Sequence, residues 1–264
     1  MSRFAADTAV EPAGPGRYTA RIHEAWWIQR GPNGGYLAAI VLRAILAEVA
    51  DPARSPRSIT LHYLRPPVAG PCEVTVAVER EGRGLTTVTA RLVQEGRPCI
   101  VAIAALGFPR EGPAFDDHPA PDVQPPEELR RAAGVPGIPI RERFDTRQAI
   151  GTPPFELGDQ AVVGGWIRTV DDDPIDEVLL VALTDAWPPA VFSRMEVPLG
   201  VPTIDLTVHF RQTPPDEPGW ALVRFSSTIA ADGYVEEDGE VWSHDGRLLA
   251  QSRQLAVEVT PPPA

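Results

Sequence analysis

The 264-residue sequence contains no lysine, so all 24 of its basic residues are arginines, against 36 acidic residues. The net charge of −12 argues against nucleic acid as a partner, because binding to a phosphate backbone depends on clustered basic residues. No run approaches the ~18 uninterrupted apolar residues of a membrane span, and the first residues show no basic, apolar leader. We therefore expect a cytoplasmic protein that binds neither nucleic acid nor membrane.

Cysteine is scarce, and the usual metal and nucleophile motifs are missing. Cys72 and Cys99 each lie at the edge of an apolar run with a spacing that fits no metal site, which predicts two buried free thiols. The sequence has no G-x-S-x-G motif, no glycine-rich phosphate loop ending in lysine, and no cluster of histidine and cysteine. It therefore predicts no metal and no cofactor.

Proline, in contrast, is abundant, and ten of the 30 prolines fall between Pro109 and Pro154. Such a segment sustains neither a helix nor a central strand. It predicts a Pro-rich linker at 111–140 between an N-terminal domain at 1–110 and a C-terminal domain at 141–264. The same order of patterns appears on both sides of the linker, which indicates an internal repeat.

Each half begins with a strand pattern that leads to an apolar helix, and four more strand patterns follow. The first helix is predicted from "GPNGGYLAAIVLRAILAEVA" at 31–50, which is apolar nearly all round, as in a buried helix. The second, "IDEVLLVALTDAWPPAVF" at 175–192, is broken near Pro188. A long helix followed by an antiparallel meander is an α+β unit, and the sequence predicts it twice.

The two halves align in register but differ in polarity. Ser58, Thr60 and His62 alternate with apolar residues, just as Asp205, Thr207 and His209 do. Because His62 and His209 occupy matching positions in the two halves, a structural role is favoured for both. On the same alignment, 251–254, "QSRQ", stands where the first half has "VAIA" at 101–104. An unsatisfied buried amide costs about 1–3 kcal/mol, so this strand is predicted to border a polar site.

The stretches "NGGYLAAIVLRAI", "ITLHYLRPP" and "GRPCIVAIAALGF", with "DLTVHF", "SSTIA" and "DGRLLAQSRQ" in the second half, resemble the type II acyl-CoA thioesterase family. The resemblance implies a double hotdog, in which two antiparallel sheets join edge to edge and each wraps around a long central helix. It places the thioester site where the two units meet and implies an acyl-CoA substrate. Free sheet edges and the resemblance both favour a homo-oligomer.

The resemblance also implies a water molecule held by an Asp, a Ser or Thr and a Gln in the second unit. Carried onto this sequence, these are Asp205 as the base, with Thr228 and Gln254 orienting the water. A shift of two residues would make Ser226 the hydroxyl partner instead. The plainer alternatives are that Asp205 is only a cap or an ion-pair partner of Arg253, that Gln254 bonds neighbouring backbone, and that Thr228 is an ordinary strand residue.

The stretch "PNGGY" at 32–36 is suited to the start of a helix that faces a substrate. Asn33 can cap the helix, and the N–H groups of Gly35 and Tyr36 are predicted to stabilise the thioester oxyanion. Asn33 and Gly34 are also predicted to contact substrate. Alternatively, Gly34 and Gly35 serve only helix packing.

The phosphates of CoA require cations on an otherwise acidic surface. We expect Arg65 and Arg253, or else Arg211, to bind them. The acidic run "EEDGE" at 236–240 is interpreted as a solvated hairpin, and "TVDDDPIDE" at 169–177 as a helix start. Two other functions stay open at this point: a non-catalytic acyl-CoA or acyl-group binding protein, and an enoyl-CoA hydratase, which needs a paired Asp and His.

Overall fold

The computed structural model describes residues 1–197 and 199–259. Its α-helices are α1 (Arg3–Asp7), α2 (Gly34–Val49) and α3 (Glu177–Leu183). Its strands are β1 (Glu11–Pro12), β2 (Arg17–Ile22), β3 (Trp27–Ile28), β4 (Gly31–Pro32), β5 (Ser55–Tyr63), β6 (Gly70–Glu81), β7 (Leu85–Gln94), β8 (Arg97–Gly107), β9 (Phe144–Gly151), β10 (Ala161–Thr169), β11 (Thr203–Phe210), β12 (Ala221–Ser227), β13 (Ala230–Ala231), β14 (Tyr234–Ser243) and β15 (Leu248–Val257).

Thirteen strands form one antiparallel sheet, and the strand order of the second half is the reverse of that of the first. The first half contributes the run β2-β6-β7-β8-β5, and the second half continues it as β11-β15-β14-β12-β10. The halves therefore meet edge to edge where β5 pairs with β11. The strand that follows the helix in each repeat is the one that forms this seam.

The pairing across the seam has an internal two-fold relation. Thr60 lies opposite Thr207, with their hydroxyl oxygens 3.0 Å apart, and each of these residues is the repeat counterpart of the other. On either side of this pair, His62 lies opposite Asp205, and Ser58 lies opposite His209. This symmetric register confirms the alignment of the two repeats that the sequence predicts.

Both repeats also share an irregularity at the start of the seam strand. The register with the neighbouring strand shifts between Pro56 and Ser58 in β5, and between Thr203 and Asp205 in β11. Such a β-bulge inserts one extra residue and changes which residues face each side of the sheet. Thr203 and Asp205, although two residues apart, therefore do not share a face.

The helices α2 and α3 pack against each other and join the main hydrophobic core with the inner face of the sheet. Asn33 caps α2 as predicted, since its Oδ1 accepts from Tyr36 N at 2.9 Å. Asp176 caps α3, which confirms the predicted helix start. The helix α3 has only seven residues and ends at Leu183, so it is shorter than the sequence pattern predicts. The pair Pro188–Pro189 lacks the N–H groups to continue it.

The Pro-rich segment lies on the outer face of the second half of the sheet. Trp166 Nε1 donates to Gln124 O at 2.9 Å, and Ala120 and Val123 pack on a second hydrophobic cluster that contains Trp166 and Trp242. The segment is therefore part of the packed structure, although its predicted bounds as a linker stay a prediction. Both cysteines are free and buried, as predicted. None of the helices in the described residues combines the length and hydropathy needed to span a bilayer.

Candidate active site

The polar interruption in β15 divides between the two faces of the sheet. Ser252 and Gln254 face the core and are each 7% exposed, whereas Arg253 is exposed on the outer face, where it pairs with Asp238. Gln251 shares the outer face and accepts from Arg211 Nε at 2.8 Å. Of the unexpected polar side chains, Gln254 is therefore the amide that reaches the interior.

Both ends of the Gln254 amide are bonded to other side chains. Its Oε1 accepts from Thr203 Oγ1 at 2.8 Å, and its Nε2 donates to Glu237 Oε1 at 2.7 Å. Glu237 lies directly opposite Gln254 on β14, and the bulge in β11 turns Thr203 to the same face. Three adjacent strands thus contribute one connected polar group each. The plainer alternative, that Gln254 bonds only backbone, is not what the structure records.

Asp185 lies beside this group. It belongs to the turn after α3, and its side chain contacts the start of α2. Its Oδ2 accepts from Asn33 Nδ2 at 2.9 Å and from Gly35 N at 2.8 Å. Asn33 Nδ2 also donates to the Asp185 backbone O at 2.6 Å. The N-terminus of the 16-residue helix α2 adds a favourable field for a carboxylate. Asp185 is therefore held by the first repeat although it belongs to the second.

Burial raises the pKa of the Asp185 carboxyl to about 6, and hydrogen bonds from Gly35, Gln254 and Asn33 oppose that rise. The residue still retains some accessible surface, so a water molecule can approach it. The bonds from Asn33 and Gly35 converge on Oδ2, so Oδ1 is free of both. A carboxylate with this pKa is suited to accept a proton near neutral pH.

The first repeat has apolar residues at the positions that match the polar strand residues. Pairing within each half makes Ala104 the counterpart of Gln254, because Ala104 lies opposite Ile59 as Gln254 lies opposite Leu206. By the same pairing Val88 matches Glu237 and Pro56 matches Thr203. The polar cluster is therefore specific to the second repeat and is not required by the shared fold.

The structure does not bring the three predicted catalytic residues together. Asp205 lies opposite Leu255 and His62, on the outer face of the sheet, whereas Gln254 faces inward. The resemblance assigns Asp205 to the site, but Asp205 alternates with the inward-facing Leu206 and Val208 and so faces outward. The β-bulge between Thr203 and Asp205 turns Thr203 inward instead. The predicted proximity of Asp205 to Gln254 is therefore wrong. Asp205 also makes no recorded ion pair with Arg253, whose carboxylate partner is Asp238.

Neither predicted hydroxyl partner reaches Gln254. Thr228 follows the last residue of β12 and is exposed, and its N–H and hydroxyl both donate to Glu236 Oε1. Ser226 follows the inward-facing Phe225 and lies opposite Asp238, so it faces the outer side of the sheet. The hydroxyl bonded to Gln254 comes instead from Thr203, at the start of the seam strand.

The N–H groups proposed for the oxyanion already have partners. Gly35 N donates to Asp185 Oδ2, and Tyr36 N donates to the capping Oδ1 of Asn33. The carbonyl of Gly34 accepts from Tyr63 Oη at 2.9 Å. The α2 start is therefore the holder of Asp185, and this geometry supports neither Gly35 nor Tyr36 as a free oxyanion donor.

The two arginines predicted to bind phosphate lie in different surroundings. Arg253 is occupied by Asp238 on the outer face, away from the Gln254 amide. Arg65 is exposed, two residues after the inward-facing Tyr63, at the end of β5 that borders the cluster. Arg65 is therefore close in the chain to Tyr63, whose hydroxyl contacts the start of α2, whereas Arg253 lies on the outer face.

Family models match both halves of the chain. The acyl-CoA thioesterase N-terminal domain matches residues 22–107, and the acyl-CoA thioesterase C-terminal domain matches residues 115–257. The chain belongs to the acyl-CoA thioesterase family. Two of the solved structures that the chain is similar to carry the name thioesterase II. The family assignment that the sequence resemblance implies is thus confirmed.

Individual relatives agree with the family match. Acyl-CoA thioesterase 2 of Haemophilus influenzae is 25% identical over 252 residues, which is 84% of this chain and 85% of that protein. A protein of unknown function with a hot dog fold from Alicyclobacillus acidocaldarius is 27% identical with a TM-score of 0.91, covering 99% of this chain and 100% of that one. A candidate thioesterase II from Thermobifida fusca is 30% identical with a TM-score of 0.86, covering 98% of each chain.

Proposed function

We propose that this chain hydrolyses an acyl-CoA to a free acid and CoA, with Asp185 as the general base. The observation that carries the proposal is the polar cluster of Asp185, Thr203 and Gln254 near the seam, where the first repeat has Pro56 and Ala104 in place of Thr203 and Gln254. The family assignment supports thioester hydrolysis as the reaction. Thr203 and Asp185 replace the sequence-based candidates Thr228 and Asp205, which lie elsewhere.

The proposed chemistry needs no covalent intermediate. Asp185 Oδ1 takes a proton from a water molecule as the water oxygen attacks the thioester carbonyl carbon. The C–S bond then breaks, Asp185 gives the proton that it took from the water to the departing CoA sulfur, and the free acid is released. Thr203 donates its hydroxyl hydrogen to Gln254, so its oxygen lone pairs can accept the second hydrogen of the water. Each of these groups must lie within about 3 Å of that water.

The finer architecture is part of the proposal. We infer a double hotdog, in which each half-sheet wraps around its own helix, α2 or the shorter α3. The mirrored strand order and the hot dog fold of the Alicyclobacillus protein support it. A homo-oligomer and a cytoplasmic location stay proposals.

An enoyl-CoA hydratase is less well supported, because the recorded partners of the Asp185 side chain are amides and not a histidine. His62 and His209 lie on the outer face of the seam strands and are exposed. A binding protein without turnover is separated from the hydrolase only by a rate measurement.

That measurement is the release of free thiol from a panel of acyl-CoAs that differ in chain length, branching and aromatic groups. We expect turnover with at least one member of the panel, at a rate proportional to enzyme concentration. Tight binding of an acyl-CoA with no thiol released over hours would contradict hydrolysis and favour the binding protein.

Replacing Arg65 with alanine is expected to raise KM for acyl-CoA about 10-fold with little change in kcat. Arg65 is the predicted phosphate contact close in the chain to Tyr63, and a charge-assisted hydrogen bond contributes about 1.5–3 kcal/mol. The matched control is Arg253→Ala on the outer face, which should leave KM unchanged. Equal effects of the two substitutions would show a general charge effect and would contradict a specific contact.

A further inference from the structure

Glu237 is a buried carboxyl that the proposed hydrolysis does not use. It is 7% exposed, and each of its oxygens accepts a hydrogen bond: Oε1 from Gln254 Nε2 at 2.7 Å, and Oε2 from Ala190 N. The sequence places it in a run interpreted as a solvated hairpin, and for this residue that interpretation is wrong. Val235 and Val241 face the core, and strict alternation along β14 puts Glu237 on the same side.

Packing alone does not account for a carboxyl at this position. The first repeat has Val88 at the matching place, fully buried and with the same backbone pairing. The pKa of Glu237 is raised to about 8, chiefly by burial. The nearby charge of Asp185 contributes to this rise, and the hydrogen bonds from Ala190 N–H and Gln254 oppose it. A buried carboxyl with these neighbours destabilises the fold relative to a valine. Its presence where a valine packs in the first repeat calls for a role in the site.

The role of Glu237 concerns the two possible orientations of the Gln254 side-chain amide. A carboxamide has nearly the same shape after a 180° rotation, which exchanges its oxygen and nitrogen. Above its pKa, Glu237 is a carboxylate, which accepts hydrogen bonds and cannot donate them, so it selects the orientation with Nε2 toward Glu237 and Oε1 toward Thr203. Thr203 must then donate to Gln254. The lone pairs of the Thr203 oxygen are then left for the attacking water. If the amide were reversed, its Nε2 would donate to that oxygen and occupy one of them.

The second bond of Glu237 reaches the segment that follows Asp185. Ala190 begins a 3₁₀ helix five residues after Asp185, and its N–H donates to Glu237 Oε2. One carboxyl therefore contacts both the strand that carries Gln254 and the loop that carries the base. A displacement of ~1 Å at such a site costs about 100-fold in rate.

We propose that Glu237 is a positioning residue for hydrolysis: it fixes the orientation of the Gln254 amide, and through Gln254 that of the Thr203 hydroxyl, and it anchors the loop after Asp185. This inference rests on the proposed function, because it assigns Glu237 a task in orienting the attacking water. Glu237 is not proposed to touch the substrate.

The test is a double-mutant cycle with Glu237→Leu, Gln254→Ala and the two combined, assayed by thiol release above the pKa of Glu237. Leucine fills the site as Val88 does in the first repeat. We expect Glu237→Leu to lower kcat by about 100-fold with KM unchanged, and to have a clearly smaller further effect when Gln254 is already alanine, the remaining effect coming from the lost bond to Ala190. Asp238→Asn, the next residue on the same strand but on the outer face, should leave kcat unchanged.

Thermal unfolding of each variant shows whether the fold is retained. If the effects of Glu237→Leu and Gln254→Ala multiply, Glu237 does not act through Gln254 and the inference is overturned. A wild-type kcat in Glu237→Leu overturns it equally.

A readout that does not need activity is the side-chain amide resonance of Gln254, assigned by its loss in Gln254→Ala. We expect one of its two Nε2 hydrogens to be shifted downfield in the wild type by the bond to Glu237, and this shift to be lost in Glu237→Leu. An unchanged resonance would refute the contact. If the wild-type protein releases no thiol from any acyl-CoA, the proposed hydrolysis fails by itself, and the resonance still decides whether Glu237 orients the amide.

Discussion

Replacing Asp185 with asparagine is expected to lower kcat by about 10²–10⁴-fold, which is the usual contribution of a positioned general base. The asparagine Oδ1 can still accept from Asn33 Nδ2 and Gly35 N–H, because both bonds converge on a single oxygen of Asp185. The loop is therefore retained and only the basic oxygen is lost. Thiol release measures kcat, and thermal unfolding confirms that the variant folds.

The matched control is Asp205→Asn, the same chemical change at the residue that the sequence alone points to. Asp205 lies on the outer face of the seam, opposite His62, so this variant should keep a kcat within about twofold of the wild type. The opposite result, a large loss at Asp205 with near-normal turnover at Asp185, would return the catalytic role to Asp205 and remove the seam cluster from the mechanism.

The pH dependence of the wild-type enzyme checks the same assignment. A general base works only when it is deprotonated, and the pKa of Asp185 is raised to about 6. Activity should therefore be fully present only above this pKa and also above the pKa of about 8 of Glu237, whose carboxylate form fixes the Gln254 amide; below about 6, kcat/KM should decrease by at least about tenfold per pH unit as Asp185 takes up a proton. The residual activity of Asp185→Asn should lack this limb, because asparagine does not titrate.

Much of the fold could be predicted because alternation between apolar and polar residues survives in nearly every strand. The stretches "LTTVTARLVQ" and "AVVGGWIRT" are each typical of a strand, and they coincide with β7 (Leu85–Gln94) and β10 (Ala161–Thr169). The repeat alignment that pairs Thr60 with Thr207 as counterparts also agrees with the register across the seam. Alternation fails where the chain inserts an extra residue, and that failure turns Thr203 inward, although Asp205, two residues later, faces outward as its alternation with Leu206 predicts.

The site was predictable only where a polar residue interrupts an apolar face. Gln254 gives such a signal, because the first repeat has Ala104 at its position. Glu237 gives the same signal through its spacing from Val235, but the acidic neighbours of Glu237 obscure it. Asp185 gives none by periodicity, since "TDAWPP" has the composition of an ordinary helix end. Its place in the site depends on contacts with Asn33 and Gly35, 150 or more residues away in the chain.

These contacts explain why the two repeats depend on each other for a single site. The first repeat contributes the start of α2, which holds Asp185 through Asn33 and Gly35. The second contributes the acid, the amide and the hydroxyl. Because the start of α2 lies against the end of α3, the approach of the two helices sets the position of the base. The residue that permits this approach is Gly35.

Replacing Gly35 with alanine is expected to destabilise the protein by about 1–3 kcal/mol and to lower kcat by about 100-fold. An added Cβ would lie 2.6 Å from Ala182 O and 3.0 Å from Asp185 Cβ, and the first of these atoms is backbone that cannot rotate away. The helices must therefore separate, and Asp185 moves with the end of α3. Thermal unfolding and thiol release measure the two effects.

The comparison variant is Gly112→Ala, where an added Cβ has nothing within 4 Å, so stability should change by less than about 0.5 kcal/mol. Alanine retains the backbone N–H at 35, so the donor to Asp185 Oδ2 is still present, and any loss of activity reports the separation of the helices and not the removal of that donor. If Gly35→Ala lowers stability but leaves kcat unchanged, then Gly35 serves packing alone, and the position of Asp185 does not depend on the contact between α2 and α3.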